Sequence, residues 1–167
     1  EQYCQAANKS DPKRSEAYTN LGIIYDSQHR LYAAVKAYKM SLEIDTHQPK
    51  LWLNLGSTLM RQDRLDMALS AFKTAAKEDP KSSSPLEQLG SCHYRMGAVD
   101  KAMESYQKAL ELNPRSDQAH RGIGIIYMTQ FLADRNKTAL RDKGLAAWNS
   151  SLELNPKLGR VDAVVTY

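Results

Sequence analysis

The sequence predicts an all-α fold built of stacked antiparallel helix–turn–helix hairpins, and three recurrences predict it. Four glycines, Gly22, Gly56, Gly90 and Gly124, stand 34 residues apart, each preceded by an aliphatic residue (Leu21, Leu55, Leu89 and Ile123). Ala34, Ala68 and Ala102 keep the same interval, and so do the aromatics Tyr38, Phe72 and Tyr106. Segments close on Asp79-Pro80, Asn113-Pro114 and Asn155-Pro156. Self-similarity at a period of about 20–50 residues is the signature of a repeat architecture.

Each element follows from local spacing. Between Tyr18 and Tyr25 the apolar positions fall at i, i+3 and i+7, with Gly22 at i+4, which is one face of a helix. The same spacing between Ala34 and Ser41 gives a second helix. Gly22 and Ala34 are small enough to let the two helices approach, and Tyr38 or its equivalent fills the space beside them. Proline then ends the unit, because it cannot continue a helix. One hairpin cannot bury its apolar face alone, so neighbours must stack. The run Ser84-Pro85-Leu86-Glu87 reads as a capping box with Pro at the first helical position. Helices are expected near 15–28, 31–45, 49–62, 65–79, 84–96 and 99–113.

This set of residues resembles the tetratricopeptide repeat (TPR) family. The likeness is clearest in Trp52, Leu55, Gly56, Leu59, Ala68, Phe72, Ala75 and Pro80. Residues 15–48 follow through Tyr18, Leu21, Gly22, Tyr25, Ala34 and Tyr38, with Thr46 in place of the closing Pro. Residues 83–116 follow through Leu86, Leu89, Gly90, Ala102, Tyr106, Ala109 and Pro114. The resemblance implies a right-handed superhelical α-solenoid, one domain over 1–167, with repeats at 15–48, 49–82, 83–116 and 117–158. Residues 1–14 are read as the second helix of a partial repeat, ending at Asp11-Pro12. The parent protein is expected to continue before Glu1. Residues 159–167 are read as a terminal capping helix.

The fourth repeat departs from the pattern. It opens on Asp117, His120, Ile123, Gly124 and Tyr127, but its closing Pro156 falls eight residues late. Aligning Trp148 with Tyr106 and Ser151 with Ala109 places the insertion within Met128–Gly144. The expectation is about one extra turn on each helix around a turn near Asp134–Thr138, with Phe131 and Leu132 as exposed apolar anchors or as neutral length variation.

Composition narrows the function. The chain of 167 residues is 42% hydrophobic and 25% charged, as in a soluble, folded protein, and no run approaches a membrane span of about 20 apolar residues. Cys4 and Cys92 fall in distant repeats, beyond disulfide reach. Free thiols favour a reducing, cytoplasmic compartment without excluding a periplasm. The net charge of +4 would attract acidic partners or nucleic acid, or simply coat a solvated surface. His29, His47, His93 and His120 have no metal-ligand spacing, no glycine-rich phosphate loop is present, and no nucleophile–base motif is visible. No catalytic residue, cofactor or metal is therefore expected, and the chain reads as an interaction scaffold rather than an enzyme.

In the family the free face of each first helix lines a concave groove. At 100° per residue that face carries Glu16, Thr19, Asn20, Ile23, Asp26 and Ser27 in the first repeat. It carries Lys50, Leu53, Asn54, Ser57, Met60 and Arg61 in the second, and Ser84, Glu87, Gln88, Ser91, Tyr94 and Arg95 in the third. The fourth offers Gln118, Arg121, Gly122, Ile125, Met128 and Thr129. The expected peptide-binding residues are Asn20, Asn54 and Gln88, an amide ladder that stops at Gly122, with Tyr94 and a basic strip of Lys50, Arg61, Arg95 and Arg121. The expected partner is a protein or peptide with acidic character. A chaperone-tail carboxylate clamp is not expected, because Thr19, Ile23, Asn54, Ser84 and Gln88 supply only its Asn. Alternatives are a docking or regulatory segment of a larger enzyme, for example glycosyltransferase-like, or an RNA-binding helical repeat, against which the period and the mixed groove charge speak. Self-association through the N-terminal end is a further expectation.

Overall fold

The computed structural model describes residues 11–156. Among them run eight helices and no strand: α1 (Pro12–Ser27), α2 (Leu31–Ile44), α3 (Pro49–Arg61), α4 (Leu65–Glu78), α5 (Ser84–Arg95), α6 (Val99–Leu112), α7 (Asp117–Ala133) and α8 (Thr138–Leu154). Successive helices pair as hairpins, α1 with α2, α3 with α4, α5 with α6 and α7 with α8. The chain divides into two compact units, Glu1–Pro80 and Lys81–Tyr167. Residues 1–10 of the partial repeat read over 1–14, Cys4 and the capping helix read over 159–167 lie outside the described residues.

Close approach within every hairpin rests on a glycine facing an aromatic ring. A Cβ added to Gly22 would sit 2.4 Å from the Tyr38 ring, and one on Gly56 would sit 2.4 Å from Phe72. Gly90 stands in the same relation to Tyr106, at 2.6 Å, and Gly124 to Trp148, at 2.7 Å. Behind each ring of the first three repeats lies a fully buried alanine, Ala34, Ala68 or Ala102. Phe72 and Tyr38 are themselves buried, and each contributes about 1.5–3 kcal/mol by leaving water. In the fourth repeat Gly144 takes the alanine's place, and its Cβ would meet Met128 at 2.9 Å.

The turns explain the different lengths. The first three hairpins each turn on one residue in the left-handed region, His29 (φ 58°), Asp63 (φ 60°) and Gly97 (φ 75°), spaced 34 apart. Phe131 occupies that place in the fourth repeat, where a bulky residue disfavours φ > 0. The helix therefore runs on: α7 and α8 hold 17 residues each, against 16, 13 and 12 in α1, α3 and α5 and 14 in α2, α4 and α6. The turn falls at Asp134–Lys137, between α7 and α8. Leu132 is exposed, and Phe131 is half-buried.

Two local readings are corrected. Residues 12–14 do not end an earlier helix. Asp11 caps α1, its carboxylate accepting from Lys13 N at 3.0 Å, and Pro12 is the first helical residue, where its missing N–H costs nothing. The capping box at Ser84 also fails. Ser83 is the residue flanking α5, its side chain makes no backbone cap, and Ser84 is already helical. Glu87 does not reach back to a backbone N–H. Its Oε1 accepts from Ser83 Oγ at 2.9 Å and from Ser116 Oγ at 2.8 Å. Ser116 is a true cap, taking Ala119 N at 3.1 Å.

A polar cluster lies inside the first hairpin. Ser41, at the position of Ala75 and Ala109, is fully buried. Its Oγ donates to Ser15 O at 2.9 Å and lies 2.8 Å from Thr19 Oγ1. Gln48 Nε2 closes the cluster on Ser15 Oγ at 3.0 Å. Ser151, the equivalent residue in α8, is as buried, and its Oγ finds no partner.

Candidate functional site

In the first unit, α1 and α3 carry Asn20, Asn54 and Lys50 as exposed side chains. Arg61 is engaged from within. Its Nη1 donates to both Asp26 oxygens at 2.8 Å, and its Nη2 lies 2.9 Å from His29 Nδ1. Thr58 Oγ1 lies 3.0 Å from Asp26 Oδ1 and 2.9 Å from Asn54 O. Arg61 thus ties the second repeat to the first, and its charge is offset in place rather than extending a basic strip. Burial pushes the nearby Tyr38 phenol up to about 12, Asp26 adding to the shift and Arg61 opposing it.

The second unit holds an open recess of about 230 Å³ on the free faces of α5 and α7. Ser91, Tyr94 and Arg95 line it from α5, Gln118, Arg121, Gly122 and Ile125 from α7, and Tyr106 from α6. Three expected site residues, Tyr94, Arg95 and Arg121, come together here, while Gln88 is half-buried and not part of the lining. Glu87, assigned to the free face, is only 9% exposed, held between Ser83 and Ser116.

The floor of the recess is the Tyr106 ring. It is clasped between two glycines: a Cβ on Gly90 would come within 2.6 Å of it, and one on Gly122 within 2.3 Å. Ser91 Oγ lies 3.2 Å from Glu87 O and 3.0 Å from Tyr106 Oη, a hydroxyl pair in which either can donate. Burial raises the Tyr106 phenol above its ordinary range, and the Ser91 bond and Arg121 partly offset that. Tyr94 Oη meets Thr129 Oγ1 at 3.0 Å. Sequence reasoning left Tyr106 in the core and treated Gly122 as the end of a ladder. The available signal was a tyrosine where the preceding repeat has Phe72, a hydroxyl that must reach a partner or water.

A second cleft, of about 340 Å³ and mostly apolar, lies in the first unit between α2 and α3 and is lined by Leu42, Trp52 and Leu55 with Lys39, Glu43 and Thr46. Trp52 Nε1 donates to Thr46 O at 3.0 Å, so the residue that replaces the closing proline holds the indole. Among the described residues no cluster of His, Cys, Asp or Glu is arranged to hold a metal ion. Among them no helix is long and apolar enough to cross a membrane.

Three family models match the sequence. Residues 15–48 and 49–82 each match a tetratricopeptide repeat model, and residues 90–130 match a TPR repeat model. No curated protein matches. Among solved structures the chain is similar to MamA, at 26% identity and a TM-score of 0.74, over 89% of this chain and 82% of that one. MamA from Desulfovibrio magneticus RS-1 superposes with a TM-score of 0.72 at 17% identity, over 90% and 78% of the two chains. The first TPR of Spaghetti (RPAP3), bound to the HSP90 peptide SRMEEVD, gives a TM-score of 0.68 at 22% identity, covering 75% of this chain and 98% of that one.

Proposed function

Since this chain belongs to the tetratricopeptide repeat family and is a protein-interaction scaffold, we propose that it holds an extended, acidic partner segment along the free faces of its first helices and so assembles a multiprotein complex. The observation that supports this is the convergence of Tyr94, Arg95, Gln118, Arg121 and Ile125 around one open recess. Guanidinium groups beside aromatic and aliphatic walls suit carboxylates carried on an extended chain, since each arginine presents a planar fork of donors. Asn20 and Asn54 add exposed amides that donate to and accept from a peptide backbone. RPAP3 carries the peptide SRMEEVD, three of whose seven residues are acidic, on a similar fold. The present chain lacks the cationic set of a terminal-carboxylate clamp, so an internal acidic stretch fits better than a chain end.

The test is fluorescence anisotropy with two labelled peptides, one alternating Glu and Ala and the other Gln and Ala. The Glu peptide is expected to bind at least about tenfold more tightly, by charge-assisted hydrogen bonds. An Arg95→Glu/Arg121→Glu variant is expected to abolish that preference. Equal affinity of the native chain for both peptides would sink the acidic character of the partner.

A further inference from the structure

We infer that the recess of the second unit is a selectivity pocket for one glutamate side chain of the bound segment, a reading that rests on the peptide-binding function proposed above. Gly122 brings the α7 backbone down onto the floor of the pocket. At the same place in the repeat the other first helices carry Asn20, Asn54 and Gln88. At Gly122 the α7 backbone lies against the Tyr106 ring, which takes the place a Cβ would occupy and so floors the recess; a Cβ would come within 2.3 Å of it.

Size, walls and charge select the occupant. At about 230 Å³ the recess is smaller than the about 300–1,000 Å³ of pockets that enclose whole small molecules, and it takes a single side chain. Ile125 and the Tyr106 ring provide apolar walls for a methylene stem. The Tyr106 and Ser91 hydroxyls are bonded to each other, and Gln118 Nε2 lies 3.5 Å from Ser91 Oγ, so the charged donor that the lining offers an anion is Arg121. A side chain with an apolar stem and a terminal carboxylate satisfies both parts. Aspartate, one methylene shorter, covers less of the wall when its carboxylate meets the guanidinium. A phosphoryl group has no stem for Ile125.

The experiment passes a pool of short, acetylated and amidated peptides of fixed net negative charge and randomised order over the immobilised chain and sequences those retained. Gly122 itself is a poor target, because any Cβ there disturbs Tyr106. Arg121→Gln is the variant of choice, since Arg121 is exposed and Gln suits a helix equally well. Arg115→Gln, in the exposed turn before α7, removes the same charge away from the recess. The expected result is one aligned position at which Glu exceeds Asp by about tenfold, lost in Arg121→Gln and kept in Arg115→Gln. Acidic peptides retained without a favoured position, Glu and Asp taken alike, or an equal loss in both variants would overturn the pocket and leave the peptide-binding reading standing. If the native chain retained no peptide, both would fall.

Discussion

The two units fill the same pair of repeat positions with different chemistry. In the first unit Asp26 of α1 and Arg61 of α3 form an ion pair in which Nη1 meets both carboxylate oxygens. The equivalent residues of the second unit, both 68 further along, are Tyr94 of α5 and Thr129 of α7, which share one hydroxyl–hydroxyl bond of 3.0 Å. Successive hairpins are thus joined at the same place, by charge in one unit and by neutral hydroxyls in the other. The difference bears on function. Where a cation serves as the tie, its field is cancelled at home. Where hydroxyls serve, the tie brings no charge of its own to the recess, and Arg121 stands where the first unit has Leu53. A second contrast accompanies it: position 54 is asparagine, whereas position 122 is glycine clasped to a ring.

Experiments that break or sharpen this contrast range from large effects to small. Tyr106→Ala is expected to cost about 3–5 kcal/mol, because the ring serves both hairpins of its unit. Hydrogen exchange should show protection lost over residues 84–154 and largely kept over 12–78; equal loss in both would mean that the units are not separate in stability. Gly122→Asn, which copies the first unit into the second, is expected to cost about 1–3 kcal/mol by overpacking, read as a lower urea midpoint. An unchanged midpoint would show that Tyr106 yields without strain.

Next come the two buried serines. Ser151→Ala removes a hydroxyl without a partner and is expected to stabilise by about 1 kcal/mol. Ser41→Ala leaves Thr19 and Gln48 short of a partner and is expected to destabilise by about 1–2 kcal/mol. Thermal melts that moved in the same direction for both would refute the distinction. The smallest effect concerns the tie itself. A double-mutant cycle on Asp26 and Arg61, whose side chains are 28% and 38% exposed, should give about 0.5–1 kcal/mol that shrinks in high salt. The same cycle on Tyr94 and Thr129 should be indifferent to salt.

Much of the fold could be read from the chain because the controlling interactions are steric and local. Glycine against ring, with alanine behind, recurs at a fixed interval, and each of these recurring contacts joins residues of one hairpin. The reading gave way where a residue's role depends on the neighbouring hairpin. Helical geometry put Glu87 and Arg61 on a free face, but it carries no information on what the next repeat sets opposite them. Ser116 draws Glu87 inward, and Asp26 takes Arg61. Asp-Pro is ambiguous for a related reason. Asp79-Pro80 follows a helix, while Asp11-Pro12 opens one, and both uses exploit a proline without an N–H. The recess was not legible because it forms where α5 and α6 of one hairpin meet α7 of the next, and the repeat pattern describes one hairpin at a time.

The clasp on Tyr106 also fixes a time scale. A ring wedged between the backbones of two helices turns over only when those helices part, so its half-rotation reports the breathing of α5–α6 against α7. Exposed Tyr32, 80% open to solvent, should flip freely and show averaged ring-proton signals. Tyr106 should show four separate ones that merge on warming, and the merging temperature would measure how often the floor of the recess gives way. A segment seated in that recess would slow the flips, so one side chain records occupancy from beneath its ligand.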